Sequence, residues 1–168
     1  MKRIGILSDT HSVDDPAIER HFAGVDEIWH AGDIGDIDTY RRLENIAPVF
    51  RAVSGNIDGA VLRRGCPEVL TFETDGCRVL MTHIGGYPGK YAPGVRKLIE
   101  EYKPKIFISG HSHILRVMPD PAFDLLHINP GAAGTKGWHK VRTLVRLTID
   151  RGVPSDLEVI ELANRQLR

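Results

Sequence analysis

Seven side chains spread along this sequence carry the donor atoms of a dinuclear metal site: Asp9, His11, Asp33, Asn56, His83, His111 and His113. Each stands where an apolar run gives out, as Asp9 does after Ile4 to Leu7 and His83 after Val79 to Met81. Divalent zinc, iron and manganese take imidazole and carboxylate ligands, and strand ends are where loops gather such ligands into one pocket. Asp9 and His11 lie two apart, so in extended backbone they project to one side and can meet the same ion. His111 and His113 repeat that spacing, and Gly110 before them lets the backbone turn sharply and bring both imidazoles inward. Gly32-Asp33 and Gly55-Asn56 have the same form. Any one of these residues alone reads best as a capped turn or a satisfied polar group. Together, in this order and with these glycines, they point to metal-assisted hydrolysis.

The elements that must position them follow from the hydrophobic pattern. Arg3 to Ser8 reads as a buried strand, Pro16 to Ala23 as a helix and Asp26 to His30 as a second strand. A Gly/Asp-rich loop from Ala31 to Asp36 leads to a charged helix, Ile37 to Ala47, and a third strand, Pro48 to Ser54, completing a βαβαβ opening. Glu68 to Thr74 and Arg78 to His83 flank Asp75-Gly76, a hairpin turn signal. A helix from Val95 to Tyr102 precedes a strand at Ile106 to Ser109. Short strands follow at Leu115 to Pro119, Asp124 to Asn129, Arg142 to Asp150 and Leu157 to Leu162, so the second half is expected to be largely antiparallel. Two packed sheets with outer helices satisfy this pattern, and the Gly/Pro-rich segments Ile84 to Gly94 and Pro130 to Gly137 read as active-site loops.

At 168 residues the chain is expected to form one domain with a substantial core. Its 22 basic and 22 acidic residues balance, which gives no sign of a nucleic-acid track or a membrane surface and leaves attraction of an anionic substrate to bound metal. No segment approaches the ~20 apolar residues of a membrane span, and the amino terminus has no signal-type apolar core, so a cytoplasmic protein is expected. Cys66 and Cys77 form no Cys-x-x-Cys pair and read as two reduced thiols without a catalytic role.

Asp9-x-His11, Gly32-Asp33, Gly55-Asn56, His83 and Gly110-His111-Ser112-His113 resemble the signature of the calcineurin-like metallophosphoesterases, all five blocks in order. The short length resembles the small bacterial and archaeal phosphodiesterases of that superfamily. The resemblance implies a four-layer α/β/β/α sandwich of two mixed sheets with outer helices. It implies Asp9, His11 and His113 on one divalent metal, Asn56, His83 and His111 on a second, and Asp33 bridging. Manganese is the first expectation, with iron, nickel or zinc also compatible with these donors. A phosphodiesterase using a bridging hydroxide as nucleophile is the activity implied, and no Ser or Cys lies in a nucleophile elbow.

Three positions depart from the family pattern. Ile57 stands where larger relatives carry His to assist the leaving group, Ile84 where Gly is frequent, and Ala132 where Ser is common. Asp58 is the remaining candidate near the leaving group, in an orienting role, since an ionised carboxylate is a poor proton donor. Activated aryl esters are therefore expected to be cleaved more readily than alkyl esters. Asn56 and the backbone N–H groups of Gly131 to Ala133 are candidates for phosphate contact, the latter as an anion-binding turn. His30 reads as a support for a ligand, His21 as a surface residue and His127 as core or edge. Trp138 and His139 read as packed loop aromatics before they read as a substrate mouth. Arg63 and Arg64, like Tyr87 and Lys90, read as solvated loop residues before a phosphate clamp. The expected partner is a small phosphodiester, with nucleic acid disfavoured by the missing basic track and apolar late edge strands leaving room for a homodimer. The contrasting function is a protein-assembly scaffold like the small retromer subunit, a branch of this fold that lacks several ligand histidines.

Overall fold

The computed structural model describes residues 1–164. The chain opens with β1 (Lys2–Leu7), α1 (Pro16–Phe22), β2 (Glu27–His30), α2 (Ile37–Glu44), β3 (Val49–Ala52) and α3 (Ala60–Gly65). It continues with β4 (Val69–Thr74), β5 (Cys77–Thr82), two short strands β6 (Gly86–Tyr87) and β7 (Lys90–Tyr91), α4 (Val95–Tyr102) and β8 (Ile106–Ile108). The last strands are β9 (Arg116–Asp120), β10 (Leu125–Asn129), β11 (Arg142–Asp150) and β12 (Val153–Leu162).

Two five-stranded sheets, ordered β12-β11-β1-β2-β3 and β4-β5-β8-β10-β9, stack face to face. Period-2 alternation decides which side chains enter the seam. Ile4, Ile6, Trp29 and Val145 from one sheet meet Phe72, Val79, Met81, Ile108 and Ile128 from the other. The alternate residues cover the outer faces: Ile18 and Phe22 of α1 and Leu43 of α2 pack on Ile28 and Leu144, while Val95 and Ile99 of α4 pack on Leu80, Phe107 and Leu125. This is the expected four-layer α/β/β/α sandwich.

The helices start where the sequence caps them. Asp15 accepts from Ala17 N at 2.9 Å and Asp36 from Thr39 N at 2.8 Å, each satisfying a first-turn donor. The second helix stops at Glu44, short of Ala47, because Asn45 returns its side chain to Arg41 O at 2.8 Å and Pro48 disfavours helical backbone before it. Asp75 and Gly76 both have positive φ, as the hairpin turn between β4 and β5 requires. Arg151-Gly152 makes a second such turn, so β12 begins at Val153, ahead of the expected Leu157.

The second half is less antiparallel than its short strands imply. β8 runs parallel to both β5 and β10, and all three of its residues are buried, which is the signature of a strand covered on both faces. The consequence is geometric: β1, β2 and β3 of one sheet and β5 and β8 of the other deliver their carboxyl ends to the same end of the sandwich.

Candidate metal centre

Every ligand candidate sits just beyond one of those carboxyl ends: Asp9 and His11 after β1, Asp33 after β2, Asn56 after β3, His83 after β5, His111 and His113 after β8. Five of them adopt left-handed backbone: Asp9 (φ 54°), His11 (44°), Asp33 (56°), His111 (69°) and His113 (61°). That conformation costs about 1–2 kcal/mol for each residue with a Cβ, and persists where surrounding bonds over-determine it. Here the loops are stitched together. Asp9 N donates to Gly32 O at 2.9 Å, His11 N to Asp33 O at 3.0 Å, Gly110 N to His83 O at 2.9 Å and Gly134 N to Asp9 O at 3.0 Å.

Two glycines show why small residues precede the ligands. Gly32 has φ 98°, and a Cβ there would sit 2.7 Å from His83 Nδ1. Gly110 has no positive φ; what it provides is room, because a Cβ would strike Ser8 Oγ and come within 2.8 Å of Asp9 Oδ2.

The donor atoms form two clusters, Asp9/His11/His113 and Asp33/His83/His111, each drawn within 4.8 Å. In the first, His113 Nε2 lies 3.1 Å from Asp9 Oδ1. In the second, Asn56 Oδ1 is 3.0 Å from both His83 Nε2 and His111 Nδ1. Asp33 Oδ2 faces both, at 3.4 Å from His11 Nε2 and 3.2 Å from His83 Nε2.

Several bonds orient these atoms inward. Asp9 Oδ2 accepts from Ser8 Oγ at 2.6 Å and from His111 N at 3.1 Å, which leaves Oδ1 free for the centre. Asp33 Oδ1 accepts from Ile57 N at 3.0 Å, which leaves Oδ2. His83 Nδ1 donates to Ala31 O at 2.8 Å, so its Nε2 offers a lone pair. That nitrogen faces the oxygens of Asn56 and Asp33, an arrangement completed by positive charge, carried either by a bound cation or by a proton on Nε2. Asp9 Oδ1 and His11 Nε2 are buried without a hydrogen bond, their near neighbours being other donors of the same clusters, which is costly unless a cation completes them. The residues therefore fit divalent metal, and with oxygen and nitrogen donors and no thiolate they fit manganese, iron, nickel or zinc.

The electrostatics agree. Burial alone would raise the Asp9 carboxyl, but His11, His113, His83 and Ser8 outweigh it and hold the group well below the usual carboxylate range. Asp33 is lowered likewise, burial being overcome by His83 and by the Ile57 N–H. His83 is raised, since Asp33 and Asp9 overcome the desolvation that would lower it. Both carboxylates are ionised at neutral pH.

Residues 1–152 match the model of the calcineurin-like phosphoesterase superfamily domain. The chain belongs to that superfamily. It is 34% identical over 136 residues to a probable metallophosphoesterase of Methanothermobacter thermautotrophicus, covering 77% of this chain and 76% of that one. Among solved structures, an archaeal phosphodiesterase superposes with a TM-score of 0.73 at 22% identity, over 95% of this chain and 99% of its own. Zinc-complexed Vps29 of Entamoeba histolytica superposes with a TM-score of 0.72 at 17% identity, over 95% and 98%. The two structures share the fold.

Around the centre of this phosphoesterase, several side chains have jobs other than those expected from the sequence. Asp58 is buried, and its carboxylate accepts from Gly55 N (2.8 Å), Gly35 N (3.0 Å) and Ile34 N (3.2 Å). It pins the Asn56 loop to the Asp33 loop, with both oxygens bonded to backbone amides. Arg63, expected on a solvated face, instead grips the same loop from outside, donating to Asp58 O at 2.7 Å and Gly55 O at 2.9 Å. The anion-binding turn at Gly131 to Ala133 is overturned. Gly131 N is committed to Asn129 Oδ1 at 3.0 Å and Ala133 N to Ser8 O at 2.9 Å, and Ala132 and Ala133 are fully buried. Asn129 closes its own turn, so the Gly131 and Ala133 amides are already spent, and Ala132 is buried.

His30 is fully buried and supports the ligand loops without touching a ligand side chain. Its Nδ1 accepts from Gly32 N at 3.0 Å, so Nε2–H donates to Thr10 Oγ1 at 2.9 Å, tying the two loops together. Burial lowers its pKa to about 4, keeping it neutral in that role. Trp138, expected to pack, is fully exposed at 101%. Its neighbour His139, read from the sequence as a packed loop aromatic, instead braces a candidate ligand. His139 Nε2 donates to Gly134 O at 2.8 Å, so Nδ1 accepts from His113 Nδ1–H at 3.0 Å and aims His113 Nε2 at the centre. The two lie 26 residues apart, and no local signal pairs them. Cys66 and Cys77 are free and buried away from the centre, with thiols pushed up to about 11 by burial, as inert thiols should be. No helix among the described residues is long and apolar enough to cross a membrane.

Proposed function

We propose that this phosphoesterase is a phosphodiesterase that works with two divalent cations, manganese first among them. The observation that carries the reading is Asp33 Oδ2, which lies within 3.4 Å of His11 Nε2 and 3.2 Å of His83 Nε2 and so faces both clusters. Asp9, His11 and His113 would hold one cation, Asn56, His83 and His111 the other, and Asp33 would bridge. Two cations held in this way acidify water at neutral pH and neutralise charge on a phosphate undergoing in-line displacement.

The chain's own residues fix the geometry before substrate arrives. Ser8 and the His111 N–H hold Asp9, the Ile57 N–H holds Asp33, and Ala31 O sets the His83 tautomer. Asn56, whose residue is exposed at the rim of the centre, can meet both cation and substrate oxygen. Ile57 is 46% exposed beside it and offers only its backbone N–H, already given to Asp33. Asp58 is buried and committed to three backbone amides, so neither it nor Ile57 supplies a proton to the leaving group and good leaving groups suit this centre best. The archaeal phosphodiesterase of the same fold favours a diester as the substrate class, and two free thiols suit the reducing cytoplasm.

The test is hydrolysis of bis-p-nitrophenyl phosphate by chelator-stripped protein, with and without manganese, beside a His83→Ala variant. Manganese-dependent turnover that the variant lacks is the expected result. No turnover with manganese, iron, nickel or zinc would overturn it and move the weight to a protein-assembly scaffold.

A further inference from the structure

Beside the centre, and sharing His111 and Ile84 with it, lies a cleft of about 370 Å³ whose far wall is the β6–β7 hairpin and whose floor includes His127. Three observations give it a chemistry. Arg116 lies over the Tyr87 ring, 4.0 Å from guanidinium carbon to ring centroid, forming a flat cation–π platform. No carboxylate lines the cleft, while Lys90 and Arg116 both do. His127, fully buried, donates from Nδ1 to Phe107 O at 3.2 Å, stacks on Phe107 at 5.2 Å, and leaves Nε2 buried with no partner.

A buried acceptor without a donor is costly. Burial lowers the His127 pKa to about 4, so the ring stays a neutral acceptor and calls for an N–H or O–H from whatever fills the cleft. A second phosphate would satisfy Lys90 and Arg116 but bring no donor for Nε2, and it would not use the aromatic wall. A planar heterocycle with an N–H does both, stacking on the Tyr87/Arg116 pair and donating to His127.

We propose that this cleft binds the nucleobase of a nucleoside phosphodiester, with Tyr87 and Arg116 as the stacking platform and His127 as the acceptor that reads its N–H. The inference deepens the phosphodiesterase reading and rests on it for the position of the phosphate, which lies at the ligand cluster across His111. Hydrolysis then adds water to phosphorus, breaks the bond to the other ester oxygen, and releases that alcohol with a proton while the nucleoside keeps its phosphate.

Two esters with one leaving group test it: thymidine 5′-(p-nitrophenyl phosphate) and methyl p-nitrophenyl phosphate. The manganese-loaded protein is expected to prefer the nucleoside ester in kcat/KM by about tenfold or more. In Arg116→Ala and in Tyr87→Ala, both on the partly exposed rim, that ratio falls toward one. Equal rates on the two esters in the unaltered protein, or a preference that survives both substitutions, would overturn the proposal. A second readout is independent of turnover: thymidine titrated into chelator-stripped protein should shift the His127 Nε2 nitrogen resonance, and Arg116→Ala should weaken that response. If neither ester is hydrolysed with any metal, the phosphodiesterase reading fails, and the thymidine shift alone decides the cleft, its absence overturning it.

Discussion

Around Asp9, His11 and His113 the supports are largely side chains: Ser8 on Asp9, and His139, from an exposed loop, on His113. Around Asp33, Asn56, His83 and His111 they are largely backbone, with the Ile57 N–H on Asp33 and Ala31 O on His83, and with Asp58 bracing the loops by three amide bonds. The first half depends on a residue of an exposed loop whose ring is anchored beyond His113 by a hydrogen bond to Gly134 O. The second is fixed by strands that are already paired. The two donor clusters should therefore respond differently to substitution.

The bridge is where the difference must vanish. Asp33→Asn removes the carboxylate charge that approaches His11 and His83 more closely than Asp9 does and should lower manganese-dependent kcat/KM by about 10³-fold or more, consistent with several kcal/mol of charge stabilisation. Steady-state assays check it, and a loss under tenfold would mean that the halves work separately. His139→Phe should weaken manganese at the first site about 10–100-fold and leave the second in place, as loss of an orienting partner does. Calorimetric titration resolving two sites is the measurement, and equal weakening of both would break the contrast. The converse variant is Gly32→Ala, whose Cβ would press on His83 and should weaken the second site selectively.

Smaller effects lie in the scaffold. Asp58→Ala strands three backbone N–H groups between the Asp33 and Asn56 loops and should cost about 3 kcal/mol in urea unfolding. His30 gives the smallest effect. Its folded pKa of about 4 is below the unfolded 6.5, so between those values the unfolded chain binds the extra proton and stability falls as pH falls. The contribution lost between pH 7.5 and 5.5 is about 1 kcal/mol. His30→Gln, which keeps a donor and an acceptor, should flatten that part of the urea-midpoint profile in chelator-stripped protein; an unchanged slope would mean that His30 is not held neutral.

How legible the centre was depends on how far apart the partners are. The ligand types, their spacing and their place at the ends of apolar runs are local facts, and the Asp75-Gly76 turn is another. The supports are not local. His111 N reaches Asp9 across 102 positions, Asp58 bonds Ile34 across 24, and His139 meets His113 across 26. Arg63 looked like a solvated charge and Trp138 like a packed aromatic because a side chain's surroundings are not written beside it. Gly131 and Ala133 looked like free amides because their acceptors come from Asn129 and Ser8.

The sequence by itself determined the layers and the donors. Period-2 apolar alternation sorts each strand's faces, caps and turn residues end each element, and only a few residue types bind metal. Tertiary structure decided which donors cluster together, which histidine tautomer faces inward and which polar groups are already spent. Those are properties of distance and burial, and they exist only once the two sheets have brought the carboxyl ends of five strands to one end of the sandwich.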